Sequence, residues 1–357
     1  MRRWTALAAF VAVTLGLLGA GPLHTPAVPV AHAAQAWDVL VGTDEEVPNG
    51  IVSAQAYFPN PLAINVGDAV NFHFRGFHTV TFLGDQPAPR FEIPGAEAGS
   101  LMLNPQAFFP SAPPGTTSVS YDGSGFLNSG APPEPEAEGA PPPPFTVTFT
   151  AAGSYSYVCL IHPGMVARLV VEPAGAALPE TPAQATARGQ AQLQDVLATM
   201  RASADAVRFA QPISTEAPGR TTVHSALAGL GQGLGASTLA FLPDQLTVRR
   251  GDIVLWTMPD PFEIHTVTFV SGAEPPSFIE PQVGPGGPDA GPPMLVIPAQ
   301  VVNPAGGDTY TGTGYVNSGI LGNGASFALR FDAPAGSYAW LCVVHPFMRG
   351  TVTVTEP

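Results

Sequence analysis

The sequence contains no lysine, only two cysteines and few charged residues of any kind. Arginine supplies all 13 basic residues, against 27 acidic ones, and the formal net charge is −14. A surface with this charge repels nucleic acid and anionic lipid, so it argues against nucleic-acid binding and favours a basic partner or none. Two cysteines allow at most one disulfide in the whole chain.

The sequence also lacks a long hydrophobic run after its first 33 residues. Residues 1–33 have the pattern of a secretory signal peptide, in which Arg2 and Arg3 precede an apolar stretch and the small-residue cleavage pattern Ala31-His-Ala33. The apolar stretch is short for a membrane span and is followed by prolines, which disfavours an uncleaved anchor. We therefore expect export to the periplasm, the cell surface or the surroundings of a bacterium, with no membrane span in the mature protein.

Proline and glycine are abundant, and they favour short strands over long helices. The 357 residues include 41 Pro and 39 Gly. Phe145-Thr-Val-Thr-Phe149 and Phe327-Ala-Leu-Arg-Phe331 alternate apolar and polar residues, as half-buried strands do. Many short strands between Gly and Pro turns predict an all-β fold of Greek-key sandwich type, and the chain length suggests two domains.

The second half of the chain repeats the first. Four blocks recur in the same order: Gly67-Asp68 with Gly251-Asp252, Phe77-His78-Thr-Val-Thr-Phe82 with Ile264-His265-Thr-Val-Thr-Phe269, Tyr121-x-Gly-x-Gly-x-x-Asn128-Ser-Gly with Tyr310-x-Gly-x-Gly-x-x-Asn317-Ser-Gly, and Gly153-Ser-Tyr-Ser-Tyr-Val-Cys159 with Gly336-Ser-Tyr-Ala-Trp-Leu-Cys342. This period indicates a duplicated domain of about 140 residues and not a short-repeat solenoid. We predict a signal peptide over 1–33, a first domain over 35–174 (the first half), a linker over 175–216 and a second domain over 217–357 (the second half).

The linker contains the one strong helix pattern of the chain. Thr181 and Pro182 have the residue types of an N-cap and a first helical position, and Gln184 completes a capping box. Apolar residues then fall on one stripe, at Leu193, Val196, Leu197, Met200, Ala204 and Val207. We expect this helix to pack on one domain or to bridge the two, with Met200 packing in the interior and not binding a metal.

Both cysteines lie in the same seven-residue motif. One copy is Cys159-Leu-Ile-His162-Pro-Gly-Met165 and the other is Cys342-Val-Val-His345-Pro-Phe-Met348. Thiolate, imidazole and thioether together suit copper and are a poor set for magnesium or calcium, which bind oxygen. Three residues this close in sequence cannot enclose an ion, so each motif needs a further ligand from elsewhere in the chain.

The repeat supplies that ligand. His78 and His265 occupy equivalent places in the two halves, and each is followed by Thr-Val-Thr-Phe. With them, each half offers two histidines, one cysteine and one methionine, which is the ligand set of a trigonal copper site with a weak axial Met. The predicted metal ligands are His78, Cys159, His162, Met165, His265, Cys342, His345 and Met348.

On these residues, each half resembles a small cupredoxin of the plastocyanin and amicyanin type. The Cys-x-x-His-x-x-Met spacing, and His345-Pro-Phe-Met348 in particular, resembles the short ligand loop of amicyanin. The resemblance covers about residues 37–172 and 222–356. It implies a Greek-key β-sandwich in each half, one type-1 (blue) copper per half and so two per chain, and single-electron transfer. It also implies that His162 and His345 are the electron ports, in an apolar surface patch lined by Pro163, Gly164, Pro346 and Phe347.

The chain departs from that family in two respects. The family usually has Asn after the first histidine, bracing the ligand loop, where this chain has Thr79 and Thr266; their hydroxyls could make a similar bond. In addition, about 80 residues separate the first histidine from the cysteine in each half, more than in the small carriers. We expect the extra segment to fold over the copper end, where it either limits solvent or shapes a partner surface.

The leading functional prediction is an exported electron-transfer protein, not an enzyme, with a transient redox partner protein. A copper storage or delivery module is the first alternative. A copper oxidase or nitrite reductase is the second, and it requires an oligomer interface that recruits His73 or His224, because the chain has no His-x-His and no His directly after either cysteine. A Cys159–Cys342 disulfide and a zinc site remain lesser possibilities.

Overall fold

The computed structural model describes residues 33–113, 115–132, 140–209, 213–217, 221–233, 235–284, 286–287 and 291–356. The predicted signal peptide, residues 1–33, lies outside the described residues except for Ala33. No helix in the described ranges is both long and apolar enough to cross a membrane.

The described part of the first half contains twelve strands and a four-residue helix. They are β1 (Ala36–Val47), β2 (Gly50–Phe58), β3 (Leu62–Asn65), β4 (Ala69–Phe74), β5 (Thr81–Phe82), β6 (Glu92–Pro94), β7 (Leu101–Leu103), α1 (Pro105–Phe108), β8 (Ser118–Tyr121), β9 (Leu127–Asn128), β10 (Phe145–Phe149), β11 (Gly153–Val158) and β12 (Val166–Glu172).

A long helix and the elements of the second half follow. They are α2 (Pro182–Phe209), β13 (Ser214–Ala217), β14 (Thr221–Gln232), β15 (Ala236–Leu242), β16 (Gln245–Arg249), β17 (Ile253–Thr257), β18 (Thr268–Phe269), β19 (Glu280–Gln282), β20 (Met294–Ile297), α3 (Ala299–Val302), β21 (Thr309–Tyr310), β22 (Val316–Asn317), β23 (Ser326–Phe331), β24 (Gly336–Leu341) and β25 (Arg349–Thr355).

One large sheet runs through both halves. Its order is β21-β23-β17-β14-β15-β2-β1-β4-β10-β8, with β13 added beside β14. The halves meet where β15 pairs antiparallel with β2, from Ala236 opposite Ala54 to Leu239 opposite Ile51. Each half also has a five-stranded sheet of its own, β3-β12-β11-β5-β9 in the first and β16-β25-β24-β18-β22 in the second. The predicted all-β class, with a sandwich in each half, is confirmed.

Strand alternation builds the two cores. In β4 and β10 every second side chain is buried, which places Val70, Phe72 and Val147 between the sheets of the first half. They pack with residues of the facing sheet, such as Tyr157 of β11. The core of the second half is equivalent and contains Trp256, Phe269, Phe331 and Trp340. Each core lies directly beneath the loop that carries the cysteine motif.

The long segments between first histidine and cysteine form a layer shared by the two halves. Strands β6 and β7 of the first half and β19 and β20 of the second make one four-stranded sheet, in which Met102 lies opposite Val296. Leu103, Ile297 and Val301 form an apolar cluster with Leu341 and Val343, the two neighbours of Cys342. The expected folding of the inserts over the metal end is thus observed at the second motif, and the inserts also tie the halves together.

The predicted linker helix is α2, and its capping box is present. The Thr181 amide donates to Oε1 of Gln184 at 2.9 Å, and the Gln184 amide donates back to the Thr181 hydroxyl at 3.4 Å. The apolar stripe packs against Val52 and Phe58 of β2 and against Ala236 of β15. The helix therefore covers the junction between the halves, and Met200 is buried in that cluster, as predicted.

Truncation of Leu197 tests the importance of this junction. Leu197→Ala removes a side chain that is 3 % exposed, and we expect it to lower the free energy of unfolding by about 2–5 kcal/mol through the cavity it leaves. Gln194→Ala, at an exposed position of the same helix, is the matched control and should change little. Urea unfolding followed by circular dichroism measures both; equal midpoints for the two variants would contradict the role assigned to α2.

Candidate metal centres

Each half brings two histidine nitrogens and one cysteine sulfur together. In the first half, His78 Nδ1 lies 2.9 Å from His162 Nδ1, which is 3.6 Å from Cys159 Sγ. In the second half, His265 Nδ1 lies 3.2 Å from His345 Nδ1, and each is 3.9 Å from Cys342 Sγ. Within each group the donor atoms all lie within 4.8 Å of one another. The structure therefore brings together, in each half, the two histidines and the cysteine that the sequence predicts as ligands. We call each such group a trio.

The loop between cysteine and methionine is closed by backbone hydrogen bonds. The Cys159 amide donates to the Met165 carbonyl at 3.0 Å, and the Met165 amide donates to the His162 carbonyl at 3.1 Å. The second loop has the same two bonds, at 3.0 and 2.8 Å. These bonds turn the histidine back towards the cysteine, and both methionine side chains are buried in the core below, Met165 at 2 % and Met348 at 0 % exposure.

The threonines that follow the first histidines brace these loops. The Thr79 hydroxyl accepts the amide of Leu160 at 2.8 Å, and the Thr266 hydroxyl accepts the amide of Val343 at 2.8 Å. The threonine backbone amides also donate to the sulfurs, at 3.4 Å to Cys159 and 3.3 Å to Cys342. The predicted bond from hydroxyl to ligand loop is present in both halves, and the N–H···S contacts favour thiolate.

The inserts supply the next link of this brace. Thr81 donates from its hydroxyl to Asn128 Oδ1 at 2.8 Å, and the Asn128 amide nitrogen donates to the carbonyl of Ala107 in α1 at 3.0 Å. Thr268 and Asn317 repeat the arrangement against α3. The repeated Asn-Ser-Gly blocks, whose purpose the sequence alone did not show, thus anchor the threonine pair to the short insert helices.

Two glycines make room for the inner histidines. Gly42 and Gly229 lie at equivalent bulges of β1 and β14 and have φ angles of +66° and +81°. A Cβ at either position would overlap Nε2 of His78 or His265. Those two Nε2 atoms are buried and have no hydrogen-bond partner among the described residues. Each inner imidazole is therefore wedged against a glycine, with its Nδ1 directed at the cysteine.

The donor set and its spacing fit a first-row metal. An ion about 2.0–2.1 Å from two nitrogens and about 2.3 Å from a sulfur, in a trigonal plane, would hold the nitrogens about 3.5 Å apart and each about 3.8 Å from the sulfur. The second trio, at 3.2 and 3.9 Å, is close to this triangle. Thiolate and imidazole with a buried methionine nearby are donors that favour copper.

The two trios differ in how their surroundings shift the pKa values of the cysteine and the histidines. Burial alone would raise the pKa of Cys159, but its contacts with His162 and His78 outweigh burial and hold that pKa well below the usual value. Burial alone would likewise lower the pKa of His162, yet the Glu263 charge and the Cys159 contact raise it to about 10. In the second trio burial prevails: it raises the pKa of Cys342 and lowers that of His265 to about 3. A bound divalent cation displaces the proton from either set, so both trios offer the same ligands to a metal.

A single carboxylate stands between the two trios. Glu263 Oε1 lies 3.3 Å from His162 Nε2, and Oε2 lies 3.6 Å from His345 Nε2. Burial would raise the pKa of Glu263, but the His162 and His345 charges lower it to about 2.

Both loop histidines and Glu263 line one cavity of about 940 Å³. His162 is 6 % exposed and His345 is partly buried, so both loop histidines lie just below the surface, and the two loops face each other across Glu263. Pro163, Gly164, Pro346 and Phe347, the residues predicted to surround the loop histidines at the surface, are all exposed, and three of them also line this cavity.

His73 and His224 contact aspartates, and the two cysteines are not bonded to each other. His73 Nε2 lies 2.9 Å from Asp38, and His224 Nε2 lies 3.1 Å from Asp252. Neither joins a metal-ligating group in the part of the chain that the structure describes. Cys159 and Cys342 are both free and buried, so they do not form a disulfide.

Sequence reasoning missed Glu263, Gly42 and Gly229. The glycines carry a signal that the repeat could have revealed, because Leu40-Val-Gly42 aligns with Leu227-Ala-Gly229. The repeat does not point to Glu263, because the equivalent residue in the first half is Gly76.

No protein-family model matches this chain, and no curated protein sequence matches it. Several solved structures do. A Cu(I) structure of an amicyanin mutant is 22 % identical, covers 33 % of this chain and 74 % of its own, and has a TM-score of 0.21. The oxidised state of another amicyanin mutant is 22 % identical and covers 32 % of this chain and 72 % of its own, with a TM-score of 0.20. A purple cupredoxin from Nitrosopumilus maritimus is 20 % identical and covers 37 % of this chain and 98 % of its own, with a TM-score of 0.21.

Alanine substitutions at Gly42 and Gly229 test the close packing of these glycines against the inner histidines. Gly42→Ala should displace His78 and weaken metal binding at the first centre alone, and Gly229→Ala should do so at the second, each by about 10–100-fold. Gly67→Ala and Gly251→Ala are matched controls, because both residues have positive φ but no atom lies within 4 Å of the place that an added Cβ would take. Competition with a chelator measures the metal affinity of each centre in each variant. Equal losses in the controls would assign the effect to backbone strain.

Proposed function

We propose that this chain, which folds into two cupredoxin-like halves, is a copper protein that carries single electrons through two sites of His, His, Cys and Met. The observation that supports the proposal is the convergence, twice, of two imidazole nitrogens and a sulfur in a buried trio above a core-packed methionine. The first site would use His78, Cys159, His162 and Met165, and the second His265, Cys342, His345 and Met348.

Copper held by these ligands would supply a one-electron couple between Cu(II) and Cu(I). The chain's contribution is to keep the ligands fixed while the charge changes. The threonine hydroxyls bind the ligand loops, and Gly42 and Gly229 pack directly against the inner histidines. The asparagines connect the threonines to the inserts. Ligands that are positioned before the charge arrives need little rearrangement when it changes, which favours fast electron transfer.

Burial supports the same proposal. Cys159 is 5 % exposed and Cys342 is fully buried. This low exposure limits the access of water and oxidants to both sulfurs, which protects the thiolates from oxidation and influences the potential. A storage or delivery module would instead need ligands that a partner can reach for metal exchange, so the buried trios favour electron transfer over that alternative.

Catalysis by a further copper has less support. An oxidase or nitrite reductase would need an additional ligand group, and His73 and His224 are instead paired with Asp38 and Asp252. We therefore propose a non-enzymatic carrier, exported as its first residues suggest, that docks transiently with a redox partner protein. Its acidic composition favours a partner with a basic docking surface.

Reconstitution with Cu(II) tests the proposal directly. The mature protein should bind two coppers per chain and show strong visible absorption from thiolate-to-copper charge transfer, which a reductant bleaches and an oxidant restores. A protein that stays colourless with Cu(II), or that binds copper without reversible bleaching, would contradict the electron-transfer proposal.

Single cysteine substitutions separate the two centres. Cys159→Ser and Cys342→Ser should each remove one copper and about half of the visible absorption, because serine cannot supply the thiolate. Each variant controls for the other, since the untouched centre should keep its copper. Met200→Leu, at a buried methionine remote from both motifs, should keep both coppers. Elemental analysis gives the stoichiometry, and a full complement of copper in either serine variant would refute that site.

A further inference from the structure

We propose that Glu263 is a positioning residue shared by both metal sites, and that it joins His162 and His345 into one coupled unit. The inference rests on the proposed function, because it concerns the ligands of the two copper sites. It differs from that function in making the sites interdependent and not two copies of an independent carrier.

The geometry assigns one carboxylate oxygen to each site. Oε1 lies 3.3 Å from His162 Nε2, at the long end of hydrogen-bond range, and Oε2 lies 3.6 Å from His345 Nε2, an electrostatic contact. The opposite nitrogen of each ring, Nδ1, faces the cysteine. An imidazole that ligates through Nδ1 carries its proton on Nε2, so both rings would present N–H groups to the same carboxylate.

The burial of Glu263 gives the contact its importance. Its side chain is 9 % exposed, and a buried carboxylate is stable only when it is paired and hydrogen-bonded. The partners that the structure gives it are the two loop histidines and the Nε2 of Gln55. Two of these three partners belong to the first half and one to the second. The charge is therefore compensated only by the combined structure of both halves.

The first half has no carboxylate of its own at the equivalent position. Gly76 occupies it, and a Cβ there would lie 2.9 Å from His78 Nε2 and 3.4 Å from Asp44. A side chain at this position would collide with a ligand, and a second carboxylate would repel the first. The two halves are therefore asymmetric at this position, with one glutamate opposite one glycine.

Backbone pairing fixes the distance that Glu263 spans. Gln55 lies on β2 and Ser237 on β15, the two strands that join the halves, and the Ser237 hydroxyl lies 3.1 Å from Gln55 Oε1. Ser237 also lies 3.0 Å from Asp260, whose carboxylate accepts the amide of Phe262 at 2.9 Å and so shapes the turn before Glu263. The glutamate is thus held by the junction itself, not by a flexible loop.

The test uses one centre at a time. In a Cys342→Ser background only the first centre binds copper, and in a Cys159→Ser background only the second does. We expect Glu263→Gln to weaken copper binding in both backgrounds, by about 10–100-fold, and to shift the visible and electron paramagnetic resonance spectra of the copper that remains. Glu274→Gln removes the same charge at an exposed position of the second half and should leave both centres unchanged.

The decisive result is the effect at the first centre, because its four proposed ligands all lie in the other half. A change confined to the second centre, or an effect equal to that of Glu274→Gln, would overturn the inference while leaving the proposed function intact. Failure of the unsubstituted protein to bind copper would instead overturn the proposed function. If circular dichroism shows that Glu263→Gln does not fold, Glu263→Asp replaces it. The shorter side chain cannot span both rings, so unchanged affinity in both backgrounds would also overturn the inference.

Discussion

The antiparallel pairing of β2 with β15 is the interaction on which the rest of this structure depends. It continues one sheet through both halves, and α2 covers it with a stripe that contacts strands of each. Hydrogen bonds between backbones leave little freedom in register, so the halves cannot rotate against each other without breaking the ladder. The two ligand loops are therefore held at a fixed separation, close enough for one carboxylate to contact a histidine of each.

A second constraint is the satisfaction of buried polar groups around each trio. In each half the two threonine hydroxyls contact each other, and with the asparagine amide and an insert carbonyl they form a continuous series of hydrogen bonds that ends at the amide following the cysteine. Such networks stabilise a single arrangement only when every member has a partner, which explains why the Thr-x-Thr and Asn-Ser-Gly blocks are repeated together. The inserts, which look like additions to a small carrier, contribute the far end of this network and the shared four-stranded layer.

The local patterns were reliable where the physical cause was local. The capping box of α2, the alternation of β4 and β10 and the buried stripe with Met200 depend on neighbours a few residues apart, and the structure has all of them. The pairing of His78 with Cys159 and His162 was also accessible, although about 80 residues intervene, because the repeat presents the same association twice. Glu263 was not accessible, since it occurs once and its partners come from two different halves.

The sequence by itself therefore determined the all-β class, the two ligand trios and the threonines that brace them, because periodicity, motif spacing and duplication encode these features directly. Only the tertiary structure decided that the halves share a sheet, that the loops face each other and that His162 is buried against a glutamate. These features depend on which strand edges pair across the chain. Pairing is set by the fit of whole surfaces, and no short stretch of residues records it.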